Sequence, residues 1–181
     1  MKLTFDFQLI RYGVSVRLAG EEDSAFILSL RTNEHLARFL HQTSPDLEEQ
    51  RKWMAAYKLR EQKGEDYYFI YSKEGIPFGV NRIYDIHDNI GTGGSWICQP
   101  GTDVEDSMAS LLIMRDIMFE NLHLDYDKFD VRKLNKKVQK VHLLLGAERV
   151  GETDLDYLYS LSKEAYFDKK KDFMQLLNIH Y

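Results

Sequence analysis

The chain has 181 residues and a formal net charge of −5, from 24 basic and 29 acidic side chains. Hydrophobic residues make up 44% and aromatics 13% of the chain, which excludes wholesale disorder, and at this length roughly 70% of the unfolded surface can be buried without a disulfide or a metal. The acidic balance disfavours non-specific nucleic-acid binding, the one cysteine, Cys98, excludes a disulfide framework within one chain, and no apolar run approaches the roughly 18 to 20 residues that cross a bilayer.

The first twenty residues alternate polar and apolar types and lack the continuous apolar core and cleavage site of a signal peptide. The expectation is a cytoplasmic protein of one domain, residues 1–181, with neither a nucleic-acid nor a membrane partner. YGVSVRL (12–18) puts Val14, Val16 and Leu18 on one face and reads as a strand. Helix-period apolar residues follow, with Thr32 and Asn33 dividing Phe26, Ile27 and Leu30 from Leu36, Phe39 and Leu40. A third helix opens with Ser44 as its cap, Pro45 at its first position and Glu48 in its first turn, and Gly64 stops it.

The period then changes. YYFIYS (67–72), FGVNRIYDI (78–86) and GSWICQP (94–100) are strand-like and separated by turn residues, so a three-strand antiparallel meander is expected. The glycines at 91–94 read as turn and bulge. A long helix over 104–122, apolar around much of its circumference, is expected to be buried. KFDVRK (128–133) is the next strand, a helix follows, and 147–162 reads as a strand pair broken near Thr153. A mixed-charge helix over about 163–178 closes the chain; its Phe167, Phe173, Met174, Leu176 and Leu177 can cover a sheet edge or meet a second subunit, so a homodimer is allowed. The class is α+β, with a single mixed, mostly antiparallel central sheet flanked by helices.

Residues 128–152 pose the sharpest question. Asn135 stands where a helix N-cap should be and Gly146 where a left-handed stop should be. Between them Val138, Val141, His142 and Leu145 form the stripe that faces a sheet. Asn135 and His142 lie seven apart, nearly two turns, and so share a face. An amide and an imidazole aligned along one buried face are unusual if packing is the only requirement.

This pattern, N-x-x-V-x-x-x-H-x-x-x-G-A, resembles the late motif of the GNAT superfamily of acyl-CoA-dependent N-acetyltransferases, N-x-x-A/S-x-x-x-Y-x-x-x-G-F. The order of elements from Val14 to about Ser162 is similar to the GNAT order, and LRTNEHLARFL, YYFIY, GSWI and VRKLN resemble the branch containing ribosomal-protein and sugar-nucleotide N-acetyltransferases. The resemblance implies a GNAT-like fold in which the strands around Ser95 and Phe129 splay apart and acetyl-CoA lies between them. Backbone groups near Ser95, Trp96, Ile97 and Cys98 would meet the pantetheine, the segment with Gly101 and Thr102 and the following helix N-terminus would receive the pyrophosphate, and Asn135 would contact the pantetheine. His142, in the family's tyrosine position, would face the departing sulfur. Its other reading is a packed core histidine.

The chain departs from the family at the pyrophosphate loop. Where the family carries several glycines, QPGTDVEDSMAS has Gly101 alone and places Asp103, Glu105 and Asp106 where phosphates would sit. Either the acids point outward and backbone N–H groups bind, or cofactor binding is weak or absent.

A base for the amine can come from Asp66, Tyr67, Tyr68, Tyr84 or Asp85, or from a water they hold; for the tyrosines, with Tyr68 and Tyr84 foremost, strand packing is the other account. Arg31, Asn33 and His35 sit where the family builds its acceptor wall, a solvated turn being the other account, and Arg82 either binds an acceptor anion or pairs across the sheet. The histidines at 35, 41, 87, 123, 142 and 180 show no metal-ligand spacing, so no metal is expected, and no GxSxG or Walker-type loop is present. The expected function is acetyl transfer from acetyl-CoA to a primary amine of a small molecule such as an amino sugar nucleotide. The alternatives are acetylation of a protein N-terminus or lysine, and a non-catalytic acyl-CoA-binding or interaction module.

Overall fold

The computed structural model describes residues 2–40 and 42–180; Met1, Tyr181 and His41, one of the histidines considered above, lie outside the described residues. Among the described residues eight strands form one sheet: β1 (Gln8–Arg11), β2 (Val14–Leu18), β3 (Asp66–Lys73), β4 (Ile76–His87), β5 (Ile90–Cys98), β6 (Tyr126–Arg132), β7 (Glu148–Glu152) and β8 (Asp156–Ser162). Their order is β1-β2-β3-β4-β5-β6-β8-β7, and every neighbouring pair is antiparallel except β5 and β6. The sheet is therefore mixed and mostly antiparallel. The helices are α1 (Ser24–Arg31), α2 (Glu34–Ala37), α3 (Leu47–Lys63), α4 (Val104–Asp116), α5 (Lys136–Leu144) and α6 (Lys163–Leu176).

The first four strands and β5 are linked mainly by two-residue hairpins with positive φ at both central residues: Tyr12 and Gly13 (54° and 71°), Glu74 and Gly75 (50° and 81°), Asp88 and Asn89 (47° and 61°). That is the turn whose twist matches antiparallel strands. Tyr12 consequently belongs to a turn and not to the strand expected over 12–18, and β1 is an additional strand. Turn chemistry hid it, because Tyr-Gly lacks the usual asparagine.

Asn33 ends the first helical stretch by capping α2: its Oδ1 accepts from the N–H groups of His35 (3.1 Å) and Leu36 (3.2 Å). The cap of α3 is Asp46 and not Ser44, since Asp46 Oδ1 accepts from Glu48 N (2.7 Å) and Glu49 N (3.2 Å). The Ser44 hydroxyl instead accepts from Asp46 N.

Each face of the sheet has its own core. On one, Ile27 and Leu30 of α1 and Met54 and Tyr57 of α3 pack on Tyr68, Ile70, Val80 and Ile97. On the other, α4, α5 and α6 pack on Val14, Val16, Tyr67, Phe69, Phe129 and Tyr159. β3 alternates between the two, which is why it is apolar without a break. Residues 109–116 of α4 are all buried. The helix expected to run to Leu122 stays α-helical to Asp116 and closes with a π turn, Ile117–Asn121.

β5 and β6 define the feature that matters most for function. Only Ile90↔Tyr126 and Gly91↔Asp127 are paired, after which the strands separate. The glycines at 91–94 lie inside β5, not in a turn as expected. A Cβ at Gly93 would lie 2.6 Å from Met114 Cε and 3.1 Å from Asp127 Oδ2, so a larger residue there requires the methionine end to shift and crowds the carboxylate.

Candidate active site

Where β5 leaves β6 it also bulges. Arg82 faces Gly94 and Val80 faces Ile97, so Ser95 and Trp96 together oppose Asn81, and Ser95 adopts φ 54°. A bulge leaves backbone groups of the extra residue outside the ladder, free to meet a ligand. Buried Asn81 fixes the distortion from behind: its Oδ1 accepts from the Tyr71 hydroxyl (2.9 Å) and its Nδ2 donates to Ser110 O (3.3 Å). Trp96 Nε1 donates to Ser110 Oγ at 3.0 Å, which holds the indole at the mouth of the fork.

A cavity of about 150 Å³ lies between the strands. Its wall brings together Arg31, Tyr84, Ser95, Trp96, Asn135 and His142, six of the residues singled out from the sequence, and adds Asp130 and Arg132. Asn135 and His142 do share this face of α5. Asn135 occupies the N-cap position but makes no side-chain capping bond. With φ −87° and ψ 63° it departs from the extended conformation that turns a cap oxygen onto the first-turn amides. The start of α5 is held instead by Gln139, whose Nε2 donates to Arg132 O (2.9 Å) and Lys133 O (3.0 Å).

His142 is 7% exposed, and its Nδ1 lies 2.9 Å from Arg115 Nη2. Burial, and next the Arg115 charge, hold its pKa well below the ordinary imidazole value. The ring is therefore neutral at physiological pH. Behind it stands a charged pair that the sequence reading missed: Arg115 Nε donates to Asp127 Oδ2 (3.2 Å), and Asp127 Oδ1 accepts from Gly93 N (2.8 Å). Arg115 is 1% exposed and Asp127 fully buried. Asp127 sits in the crotch of the fork, where its carboxylate replaces the backbone partner that Gly93 loses as the strands part. For Arg115 the signal was present as a cation inside the apolar run LLIMRDIMF; Asp127, in the alternating stretch LDYDKFDV, carried none.

A second cavity, about 390 Å³, lies beside the first and shares Arg31 with it; Tyr68, Arg82, Trp53, Gln50 and Thr43 help to line it. Arg31 Nε donates to Thr43 Oγ1 at 2.8 Å, and its Nη1 reaches Ser95 Oγ at 3.5 Å. Arg82 pairs across the sheet with Asp66 (2.5 Å), as does Arg60 from α3 (3.1 Å), and the Arg82 guanidinium lies over the rings of Trp53, Tyr68 and Tyr84. Tyr68 thus stands in the second cavity and not beside His142. Burial raises its pKa against the opposing pull of Arg31 and Arg82, and burial followed by Asp130 raises that of Tyr84. Both phenols stay protonated near neutral pH, so they can donate hydrogen bonds but not serve as bases. Asn33 is committed to its capping bonds, and His35 is exposed and lines neither cavity.

Ile97 turns into the α1–α3 core, while Cys98 packs on the other face, its thiol raised by burial. Gly101 (φ 85°) and Thr102, whose hydroxyl donates to Gln99 O (2.9 Å), form the turn before α4. The α4 N-terminus has no side-chain cap. Asp103 and Glu105 are exposed, and Asp106 is paired with Lys73 at 2.8 Å. Among the described residues no group of three or more His, Cys, Asp or Glu is placed to hold a metal ion, and no helix is long and apolar enough to cross a membrane.

No family model matches the chain, and no curated protein matches it. Among solved structures, apo FdhC, a nucleotide-linked sugar GNAT, is similar at 32% identity and TM-score 0.84, over 95% of this chain and 99% of that one. The ribosomal-protein-S5-alanine acetyltransferase of Vibrio fischeri (18% identity, TM-score 0.76, 89% and 99% coverage) shares the fold. So does Mycobacterium smegmatis RimJ, solved in complex with CoA-disulfide (17%, 0.76, 95% and 93%). The likeness to FdhC covers nearly the whole of both chains at 32% identity, and the chain belongs to the GNAT superfamily.

Proposed function

We propose that this protein transfers an acetyl group from acetyl-CoA to the primary amine of a small molecule, in the class of amino sugars carried on nucleotides, with residues 1–181 acting as one catalytic domain. The observation that carries this reading is the β5–β6 fork, whose cavity opens beside a larger one at Arg31. The sugar-nucleotide class is favoured over a protein acceptor by the 32% identity to FdhC, against 17–18% for the ribosomal-protein enzymes.

The residues present fit an acyl-CoA. The separated strands expose backbone groups of the Ser95–Trp96 bulge to a thioester carbonyl, where an N–H donor stabilises developing negative charge. The uncapped α4 N-terminus suits a pyrophosphate. Of the three acids that argued against it, Asp106 is neutralised by Lys73, and the other two lie in solvent. Asn135, relieved of capping, presents its amide to the cavity. When bound, the acetyl thioester supplies the acyl group: its C–S bond breaks as the amide C–N bond forms, and the proton lost by nitrogen ends on sulfur. With both phenols protonated, Tyr67 packed on the far face of the sheet, Asp66 held by Arg60 and Arg82, and Asp85 outside the fork cavity, the exposed Asp130 carboxylate on the cavity wall is the group that accepts the amine's proton, directly or through water.

The test is release of free thiol from acetyl-CoA across a panel of amines. Nucleotide-linked amino sugars should give turnover, and Asp130→Asn should reduce it by about a hundredfold. Turnover confined to peptide N-termini or lysines would move the acceptor to proteins. No thiol release from any amine would contradict the enzymatic reading.

A further inference from the structure

We propose that Arg115 is a positioning residue: it holds the His142 imidazole as the neutral tautomer with its proton on Nε2, and through Asp127 it fastens that ring to the glycine segment of β5. A guanidinium is donor-only and remains charged at every pH at which the protein folds. The ring nitrogen 2.9 Å from Arg115 Nη2, which is Nδ1, must therefore accept. The one ring proton is then on Nε2. Phe129 packs against the imidazole at 4.4 Å between centroids, and Arg115 itself lies over the Phe129 ring at 5.3 Å, so neither side chain has room to turn away.

The geometry also requires an arginine. Nε engages Asp127 at 3.2 Å while Nη2 engages His142, two donors in one rigid plane. A lysine offers a single nitrogen and cannot reproduce the pair. Because Asp127 also takes the Gly93 N–H at 2.8 Å, the imidazole on α5, the guanidinium on α4 and the strand at the crotch of the fork are linked by consecutive hydrogen bonds. Sliding β5 against α5 would break at least one of them.

The consequence for chemistry rests on the acetyl-transfer reading. A neutral imidazole with Nε2–H can donate a hydrogen bond to the departing sulfur, but it does not give up that proton, since imidazolate is too basic to form. The sulfur's proton comes from the amine by way of solvent. His142 thus acts as a fixed donor and not as an imidazolium acid. The charged and titratable groups around it are Arg115 on α4, Asp127, Asp130 and Arg132 on β6, Tyr84 on β4 and Arg31 on α1. Among the described residues, Arg115 is the one in hydrogen-bond contact with the ring.

The experiment is long-range proton–nitrogen correlation NMR on protein labelled with ¹⁵N-histidine, from pH 5 to 8.5, with His142→Gln to identify the signal. The expected pattern is an acceptor-type Nδ1 and a protonated Nε2, unchanged across the range. Arg115→Met should give a tautomer mixture or a pH-dependent shift. A protonated Nδ1 in the wild type, or imidazolium shifts at neutral pH, would overturn the proposal. The wild-type spectrum decides even where Arg115→Met fails to fold. It needs no substrate, so it is separable from failure of the acetyl-transfer reading. Where turnover is found, Arg115→Lys should lower kcat roughly tenfold to a hundredfold and leave KM for acetyl-CoA within a few-fold. An unchanged kcat would contradict the link to catalysis.

Discussion

A methyl group added at Gly94 would lie 2.8 Å from the Tyr84 hydroxyl and 3.0 Å from its Cε1, so Gly94→Ala must push the phenol out of the cavity. The expected result is a protein destabilised by about 1–3 kcal/mol whose turnover falls more steeply than its melting temperature, measured by kinetics and thermal unfolding together. His142 makes a second prediction through pH. Its folded pKa lies below its unfolded value, so the unfolded chain binds the extra proton first. The sign follows: there is no contribution above about pH 6.5, and stability is lost as pH falls below it, by up to about 1.4 kcal/mol per unit. His142→Gln should flatten that slope in urea titrations at pH 5, 6 and 7, and an unchanged slope would mean that the ring is not held neutral. At this scale the helical spacing of Asn135 and His142 was enough to place both on one cavity wall. Arg115 and Asp127 were not identified as partners, because their pairing depends on how α4 lies across β6, a tertiary fact that no local spacing records.

The hairpins belong to the scale of elements. Glu74 adopts φ 50° before Gly75 in a turn whose first central residue favours asparagine. Glu74→Asn should therefore stabilise the protein by about 0.5 kcal/mol, read as a higher urea midpoint with the same m-value. The meander, the buried α4, the α5 stop at Gly146 and the β7–β8 pair were all legible, since each rests on period or on a glycine turn. β1 was not, because a tyrosine fills the left-handed turn position before β2. The parallel β5–β6 contact followed from the order of elements. That the two strands part was implied by the family resemblance; that they do so after two residue pairs, with Asp127 taking the Gly93 N–H, was not legible in local spacing. Likewise the α3 cap was misplaced by two residues, Asp46 taking the role that Ser44 was equally suited to by type.

For the whole molecule, Asp116 ties three distant elements. Its buried carboxylate accepts from Arg11 (2.8 Å) and the Tyr12 hydroxyl (2.6 Å) beside the β1–β2 turn, and from the Tyr166 hydroxyl (2.8 Å) and Lys170 (2.6 Å) of α6. Asp116→Asn removes the buried negative charge on which these donors converge and should cost about 3–5 kcal/mol, measured by equilibrium urea unfolding. That network holds the hairpin and α6 to α4, and so carries the scaffold on which the fork is built. The central claim is that the fork takes acetyl-CoA despite its acidic pyrophosphate segment. Calorimetric titration with acetyl-CoA tests it most directly, in the wild type and in Lys73→Glu. Binding in the micromolar to submillimolar range, weakened when Asp106 loses its partner, is the predicted result. No heat of binding at several temperatures would contradict it.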